Sequence, residues 1–418
     1  MPNELLKRLL ENVSDQRELE LIISSAAGGY AKQTGQNCIQ YYTPNPNPSV
    51  FATTKFRQGK MIEIIPGPAL QSETSQNELV QLALNEASHI HGFKTVDRVL
   101  LAERKFVGCW QWKDKLRIQE LPTSAPISGG LDWSSNAFKG TATPFDEDGS
   151  PYPLVLRIRV PISPNPLVEG ARFLSELDKF QNLLTLLLTG HIKGFDASSS
   201  RSWVLIDRGS GIENHLLHRG FNLGEMSEWS GEKIDDRKTA PIYQGDDYYN
   251  HLWVQEKEIS ISPDLAKDLD TFANFSESDT ANFLRAAYWY SVGIRNRHDS
   301  ALATVAFSTA IECLLGKPKR QRCSVCSSEI GAGPTQLFKN HIVKYGTLPE
   351  SLHAQRSKIY SARSALVHGR YAPVDNYTFS QADDSMVHDL LVQLVAQRSL
   401  INWLRDTNRA TRCETEHG

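Results

Sequence analysis

Residues 301–315 read ALATVAFSTAIECLL, and this stretch decides the fold of the region around it. A helix of this composition is apolar almost all the way round, so it has to sit centrally among other helices. Asp299 stands just before it, where a carboxylate can accept from the first-turn amides. Gly316 follows it as a stop.

Helical signals continue on both sides. Upstream, Ser278 or Asp279 can cap a helix reaching about Val292. Downstream, Pro334 suits the first turn of a helix ending near Tyr345 and Gly346, and Pro349 opens another reaching about His368 and Gly369. Asp383 or Asp384 begins the last, where Val387, Leu390, Leu394, Ile401 and Leu404 form a stripe of heptad-like spacing. Short connections between these helices predict an all-α bundle over residues 265–418.

Before about Asp264 the texture is mixed. Amphipathic helical patterns lie at Pro2 to Ile23 and Ser72 to His91. A third runs from Glu169 to Leu188, where Phe173, Leu177, Phe180 and Leu184 share a face. Phe51 to Phe56 and Met61 to Ile65 flank a polar tetrapeptide containing Gly59, a hairpin signal. Leu154 to Val160 alternates like a half-buried strand, and Trp203 to Ile206 and Leu252 to Val254 are further strand-like runs. The predicted class is therefore a multidomain α+β chain. A mixed α/β region occupies residues 1–264, with a subdomain break near 161–168, and the bundle follows.

Of 418 residues, 40% are hydrophobic and 22% charged, which fits a soluble globular chain and excludes a disordered one. The longest apolar run, near Leu183 to Leu188, is far short of the ~20 residues of a membrane span. The first ten residues read as an amphipathic helix and not as a signal peptide. Six cysteines in a chain this long do not suggest a disulfide framework. A cytoplasmic protein with no membrane partner is the expectation. No phosphate-binding or dinucleotide glycine pattern is present.

Net charge is −3, but it is unevenly spread. From Arg285 to Arg370 there are 13 basic and 4 acidic residues, so this window carries +9 and the remainder −12. Lys317, Lys319, Arg320 and Arg322 form its densest run. Such a window suggests a polyanion site, with solubilising surface charge as the plain alternative.

The segment IYSARSALVHGR, residues 359–370, carries the chemistry. Arg363 and His368 are five residues apart, which on an ideal helix turns the side chain by about 140° and advances it about 7.5 Å. An arginine and a histidine near one surface suit RNA cleavage without a metal. An imidazole can take the proton of a ribose 2′-hydroxyl or give one to the departing 5′-oxygen. A guanidinium can stabilise the charge that grows on the phosphoryl oxygens. Spacing alone fits equally well a surface ion pair for Arg363 and a helix-end residue favoured by the dipole for His368.

Tyr360 to Gly369 resembles the signature of the HEPN superfamily, in particular its Apea-like branch: an aromatic, then Arg-Ser, then a hydrophobic residue before His-Gly. Ala310-Ile-Glu-Cys-Leu-Leu315 resembles the other marked helix of that branch, Ala-x-Glu-x-Leu-Leu. The resemblance covers roughly the last third of the chain. It implies a helical bundle that dimerises and a metal-independent endoribonuclease with Arg363 and His368 as catalytic residues, supported by Ser364 and Glu312. It implies cleavage to a 2′,3′-cyclic phosphate and a 5′-hydroxyl, and a role in bacterial defence against phage. Some members of the superfamily bind RNA or a protein without cutting. On this reading Lys317, Lys319, Arg320, Arg322 and Arg370 bind RNA, catalysis needs no cofactor, and residues 1–264 restrain the bundle or sense a phage-derived trigger.

The chain departs from the simpler family pattern in an insertion at residues 317–333 containing Cys323-Ser-Val-Cys326. Two cysteines at this spacing resemble half of a structural zinc knuckle, with a pair of free loop thiols as the plain alternative. Cys313, His341 and His353, or the same cysteine pair from a second chain, are the expected sources of the remaining ligands.

Overall fold

The computed structural model describes residues 4–13, 16–28, 30–44, 48–57, 60–88, 92–102, 104–120, 127–128, 152–188, 192–193, 203–206, 215–218, 222–223, 239–245, 248–249, 258–297, 299–316, 321–322, 329–330, 333–347, 359, 363–364, 366–368 and 379–406. The protein is mixed α/β, with the helices mostly in the carboxyl-terminal half. It divides into two compact units: residues 1–96 with 158–178, and residues 97–157 with 179–418.

The first unit opens with α1 (Glu4–Leu10) and α2 (Gln16–Ala26), two helices where the sequence pattern reads as one. Strands β1 (Tyr30–Gly35), β2 (Cys38–Tyr42), β3 (Val50–Arg57) and β4 (Lys60–Pro66) follow as an antiparallel sheet in chain order. The expected β3–β4 hairpin is present, with Arg57 opposite Lys60. After it come a short 3-10 turn at Pro68–Leu70 and α3 (Glu73–Ser88). Gly67 is required at the end of β4, because a Cβ there would lie 1.8 Å from the Val50 carbonyl oxygen.

The core of this unit gathers Leu6 and Leu9 of α1, Ile22 and Ile23 of α2, Tyr41, Ala52 and Ile64 of the sheet, and Leu79 of α3. Burial pushes the Tyr41 phenol up to about 12. Arg172 grips Glu18 through two hydrogen bonds of 2.7 and 2.8 Å, joining distant parts of the chain within the unit.

A second sheet contains β5 (Phe93–Ala102), β6 (Cys109–Trp112), β7 (Leu116–Glu120), β8 (Ile127–Ser128), β9 (Tyr152–Pro161), β10 (Ile192–Lys193) and β13 (Asn222–Leu223). A separate hairpin pairs β11 (Trp203–Ile206) with β12 (His215–His218). Helix α4 (Pro166–Leu187) ends in a run where Leu183, Leu184, Leu186 and Leu187 are fully buried. The expected strand at Leu252 to Val254 lies outside the described residues.

The helical part comprises α5 (Leu265–Ala273), α6 (Glu277–Arg295), α7 (Ser300–Glu312), α8 (Pro334–Tyr345) and α9 (Phe379–Arg405). Helix α7 holds most of the apolar stretch 301–315. It packs on α6, α8 and α9, with Ala303, Ala306, Phe307, Ala310 and Ile311 buried. Helices α6 and α7 are antiparallel and very close: a Cβ at Gly293 would sit 2.5 Å from the Phe307 ring. Phe283 stacks on Trp403 at 5.8 Å, nearly parallel, with Phe272 and Phe275 edge-on or tilted around them.

Within the second unit the helices are tied to the strand-bearing segments. Trp112 Nε1 donates to Asp270 at 2.9 Å, Gln397 donates to the Leu186 carbonyl at 2.9 Å, and the Tyr249 hydroxyl donates to the Leu187 carbonyl at 3.2 Å. Residue 264 lies inside the second unit. No helix among the described residues is long and apolar enough to cross a membrane.

Three helix limits differ from the sequence reading. Ser276, not Ser278 or Asp279, caps α6: its hydroxyl accepts from the Asp279 amide at 3.1 Å. Helix α7 ends at Glu312, because Leu314 and Leu315 fold into tighter bonds with Ile311 and Glu312 before Gly316 is reached. Helix α9 begins at Phe379, upstream of Asp383.

Candidate active site

Helix α7 delivers Glu312 as its last residue, and the following Cys313 amide bonds back to the Thr309 carbonyl at 3.0 Å. Facing it is the segment around residues 359–368, helical at each described position up to Val367. Ile359 is fully buried, Arg363 and Ser364 are half-buried, and Val367 and His368 are exposed. Ile359 and Arg363 are four residues apart, so they share a face, and that face is turned inward. The His368 amide donates to the Ser364 carbonyl at 3.1 Å, so the helical turn reaches His368. Its side chain then projects about 140° away from that of Arg363.

Arg363 Nη2 donates to Glu312 Oε2 at 2.9 Å, with the two side chains 23% and 28% exposed. Two residues 51 apart in sequence are thus brought together. Arg363 Nε is buried and has no hydrogen-bond partner among the described residues. A buried donor left unmatched costs about 1–3 kcal/mol, which an incoming acceptor or a turn of the side chain would relieve. Ser364 contributes its carbonyl to the turn that carries His368.

A second guanidinium belongs here. Arg285 of α6 lies close enough to Cys313 for its positive charge to pull the thiol pKa down. Burial outweighs it and the Cys313 thiol ends above its ordinary value, with Glu312 pushing the same way. Arg285 also donates through Nε to the Ala281 carbonyl at 3.3 Å. In the sequence Arg285 is one basic residue of the 285–370 window, with no motif that links it to Cys313. The available signal was the short turn between two antiparallel helices, which folds Arg285 back alongside the end of α7.

The remaining expected site residues divide differently. Lys317, Lys319, Arg320 and Arg370 lie outside the described residues. Arg322 lies in β14 (Gln321–Arg322), which pairs antiparallel with β15 (Glu329–Ile330). Cys323 and Cys326 fall between these two strands and lie outside the described residues, as does His353. Of the other expected zinc ligands, Cys313 sits at the C-cap of α7, and His341 is 7% exposed within α8 against the Tyr345 ring. Among the described residues, no group of three or more side chains is arranged to hold a metal ion.

No protein-family model, no curated protein and no solved structure matches this chain.

Proposed function

We propose that the chain is a metal-independent endoribonuclease of the HEPN type, acting as a homodimer through Arg363 and His368. The observation that carries this reading is the pairing of Arg363 with Glu312 beside an exposed His368 on the same helical segment. Glu312 holds the guanidinium in a set direction, as a positioning residue. His368 is open to solvent, where a polyanion can reach it. Within one chain the two side chains diverge, so a second chain that supplies its own pair across a shared cleft completes the site.

The chemistry then follows from the side chains. One imidazole takes the proton of a ribose 2′-hydroxyl as the 2′-oxygen forms a bond to the neighbouring phosphorus. The P–O5′ bond breaks, and an imidazolium gives its proton to the departing 5′-oxygen. The products are a 2′,3′-cyclic phosphate and a 5′-hydroxyl. Arg363 stabilises the charge on the non-bridging oxygens as phosphorus becomes five-coordinate. Arg285 and the basic window draw RNA towards the site. The helices from α5 to α9 form the HEPN-like bundle on this reading, and residues 1–264 hold it inactive in the cytoplasm until a phage-derived trigger arrives.

A second reading rests on the same ion pair. A half-buried arginine–glutamate contact is also what joins two helices for stability. On that reading the bundle docks RNA or a protein without cutting, and Arg363 and His368 hold two chains together. One experiment separates them: incubation of the triggered, purified chain with RNA in EDTA. Cleavage lost in His368→Ala supports the nuclease. Salt-sensitive RNA binding without cleavage supports the binding module.

A further inference from the structure

Among the described residues, helices cover the four-stranded sheet of the first unit on one face only. Its core face carries Tyr41, Ala52 and Ile64, which meet α1, α2 and α3. Two register shifts preserve that arrangement. One lies between Tyr41 and Tyr42 where β2 meets β3, and lets both Phe51 and Ala52 be buried. The other lies between Lys55 and Phe56 where β3 meets β4, and leaves Ile62 exposed while Met61 is buried.

The opposite face is open and has a composition of its own. Tyr30 and Tyr42 are cross-strand partners with ring centroids 5.5 Å apart, and Tyr30 is 55% exposed. The Tyr42 hydroxyl donates to Gln40 at 2.7 Å, which fixes its ring. Lys32, Lys55, Arg57 and Lys60 alternate onto the same face, against the single acid Glu63, which Lys55 pairs at 2.9 Å. Arg57 and Lys60 stand directly opposite each other and have no carboxylate partner among the described residues. Like charges facing each other across two strands are unfavourable unless an anion lies between them.

We propose that this open sheet face binds single-stranded nucleic acid, with bases on the tyrosine rings and phosphates along the cations. The two clusters suit this ligand because of their spacing. Val50 is opposite Tyr42, and Arg57 lies seven residues further along β3, about 23 Å at ~3.3 Å per residue. An extended strand of several nucleotides covers that length. Exposed aromatic rings supply a surface on which any base can stack, and the excess of positive over negative charge supplies the match to the phosphates. An acidic protein would match the cations but would have no use for an exposed Tyr30 ring set against a half-buried Tyr42. This site does not depend on Arg363 or His368.

The test uses the full chain and a fluorescent 2′-deoxy thymidine 12-mer in EDTA, a strand with no 2′-hydroxyl and hence no route to cleavage by 2′-oxygen attack. Fluorescence anisotropy should show binding that weakens with salt. Tyr30→Leu with Tyr42→Leu, which keeps apolar strand residues, should weaken it at least tenfold with the salt dependence retained. Arg57→Gln with Lys60→Gln should weaken it and flatten the salt dependence. Circular dichroism and melting checks that each variant is folded. The proposal is overturned if the wild-type chain does not bind the strand, or if both double variants bind within twofold of wild type. It is equally overturned if binding is lost only in Lys319→Gln with Arg320→Gln, or if a poly-glutamate peptide binds as tightly. None of these results bears on cleavage, which is read separately.

Discussion

Arg363 is asked to do more than one thing, and a lysine can do only part of it. Arg363→Lys keeps a positive charge opposite Glu312, so folding stability, read from denaturant titration, should fall by no more than about 1 kcal/mol. It loses the planar fork that can contact a carboxylate and a phosphate together, so RNA cleavage should drop by about 10²-fold or more. Retained cleavage in Arg363→Lys would assign the residue to helix pairing alone. His341 offers a test on stability. Burial, with Lys344 adding to it, lowers its pKa from 6.5 to about 4. Between those values the unfolded chain binds the extra proton and the folded chain does not. The stability present above pH 6.5 should therefore decline as pH falls towards 4, by ~3 kcal/mol in all. Denaturant titrations across that range should show the decline, and His341→Phe should remove it. The sequence motif singled out Arg363, Glu312 and His368 as residues. Their geometry was not legible, because the contact between Arg363 and Glu312 exists only once distant helices pack.

At the scale of elements, local signals were read correctly where a single side chain decides. Asp299 accepts from the Leu302 amide at 3.0 Å and caps α7 as its position suggested. Asp299→Ala should cost about 1 kcal/mol, measurable as a shift in urea midpoint with an unchanged slope. No loss of stability would show that packing alone holds the start of α7. Ahead of α6, several polar residues compete. Ser278 and Asp279 suit a cap by type, but they lie within the first turn, and the extended backbone puts the cap at Ser276. The bulges in the sheet were invisible for a related reason. Simple alternation assigns Phe51 and Ala52 to opposite faces, whereas both are buried. The end of α7 was misplaced because Cys313 to Leu315 are as apolar as the helix before them, and periodicity carries no record of where hydrogen bonding tightens.

Across the whole molecule, the texture change near Asp264 marks where helices take over. Arg405, at the end of α9, reaches Asp268 through two bonds of 2.7 Å and Asp264 at 3.2 Å, with its guanidinium 5.4 Å from the Tyr249 ring. Asp268 is 1% exposed, and burial raises its pKa against the pull of Arg405. Arg405→Ala strands that carboxylate, and thermal unfolding should register a loss of about 3–5 kcal/mol. A loss below 1 kcal/mol would mean that the carboxyl is neutral or hydrated without its partner. None of these contacts has a signature in a linear reading, since each joins residues more than a hundred positions apart or rests on a single hydrogen bond. Purified wild-type chain, with its trigger, and His368→Ala are each incubated with end-labelled RNA in EDTA. The expected result is cutting by wild type to fragments ending in 2′,3′-cyclic phosphate, reduced at least 10²-fold in His368→Ala at an unchanged melting temperature. Cutting that persists in His368→Ala, or that appears only with added magnesium, would contradict it.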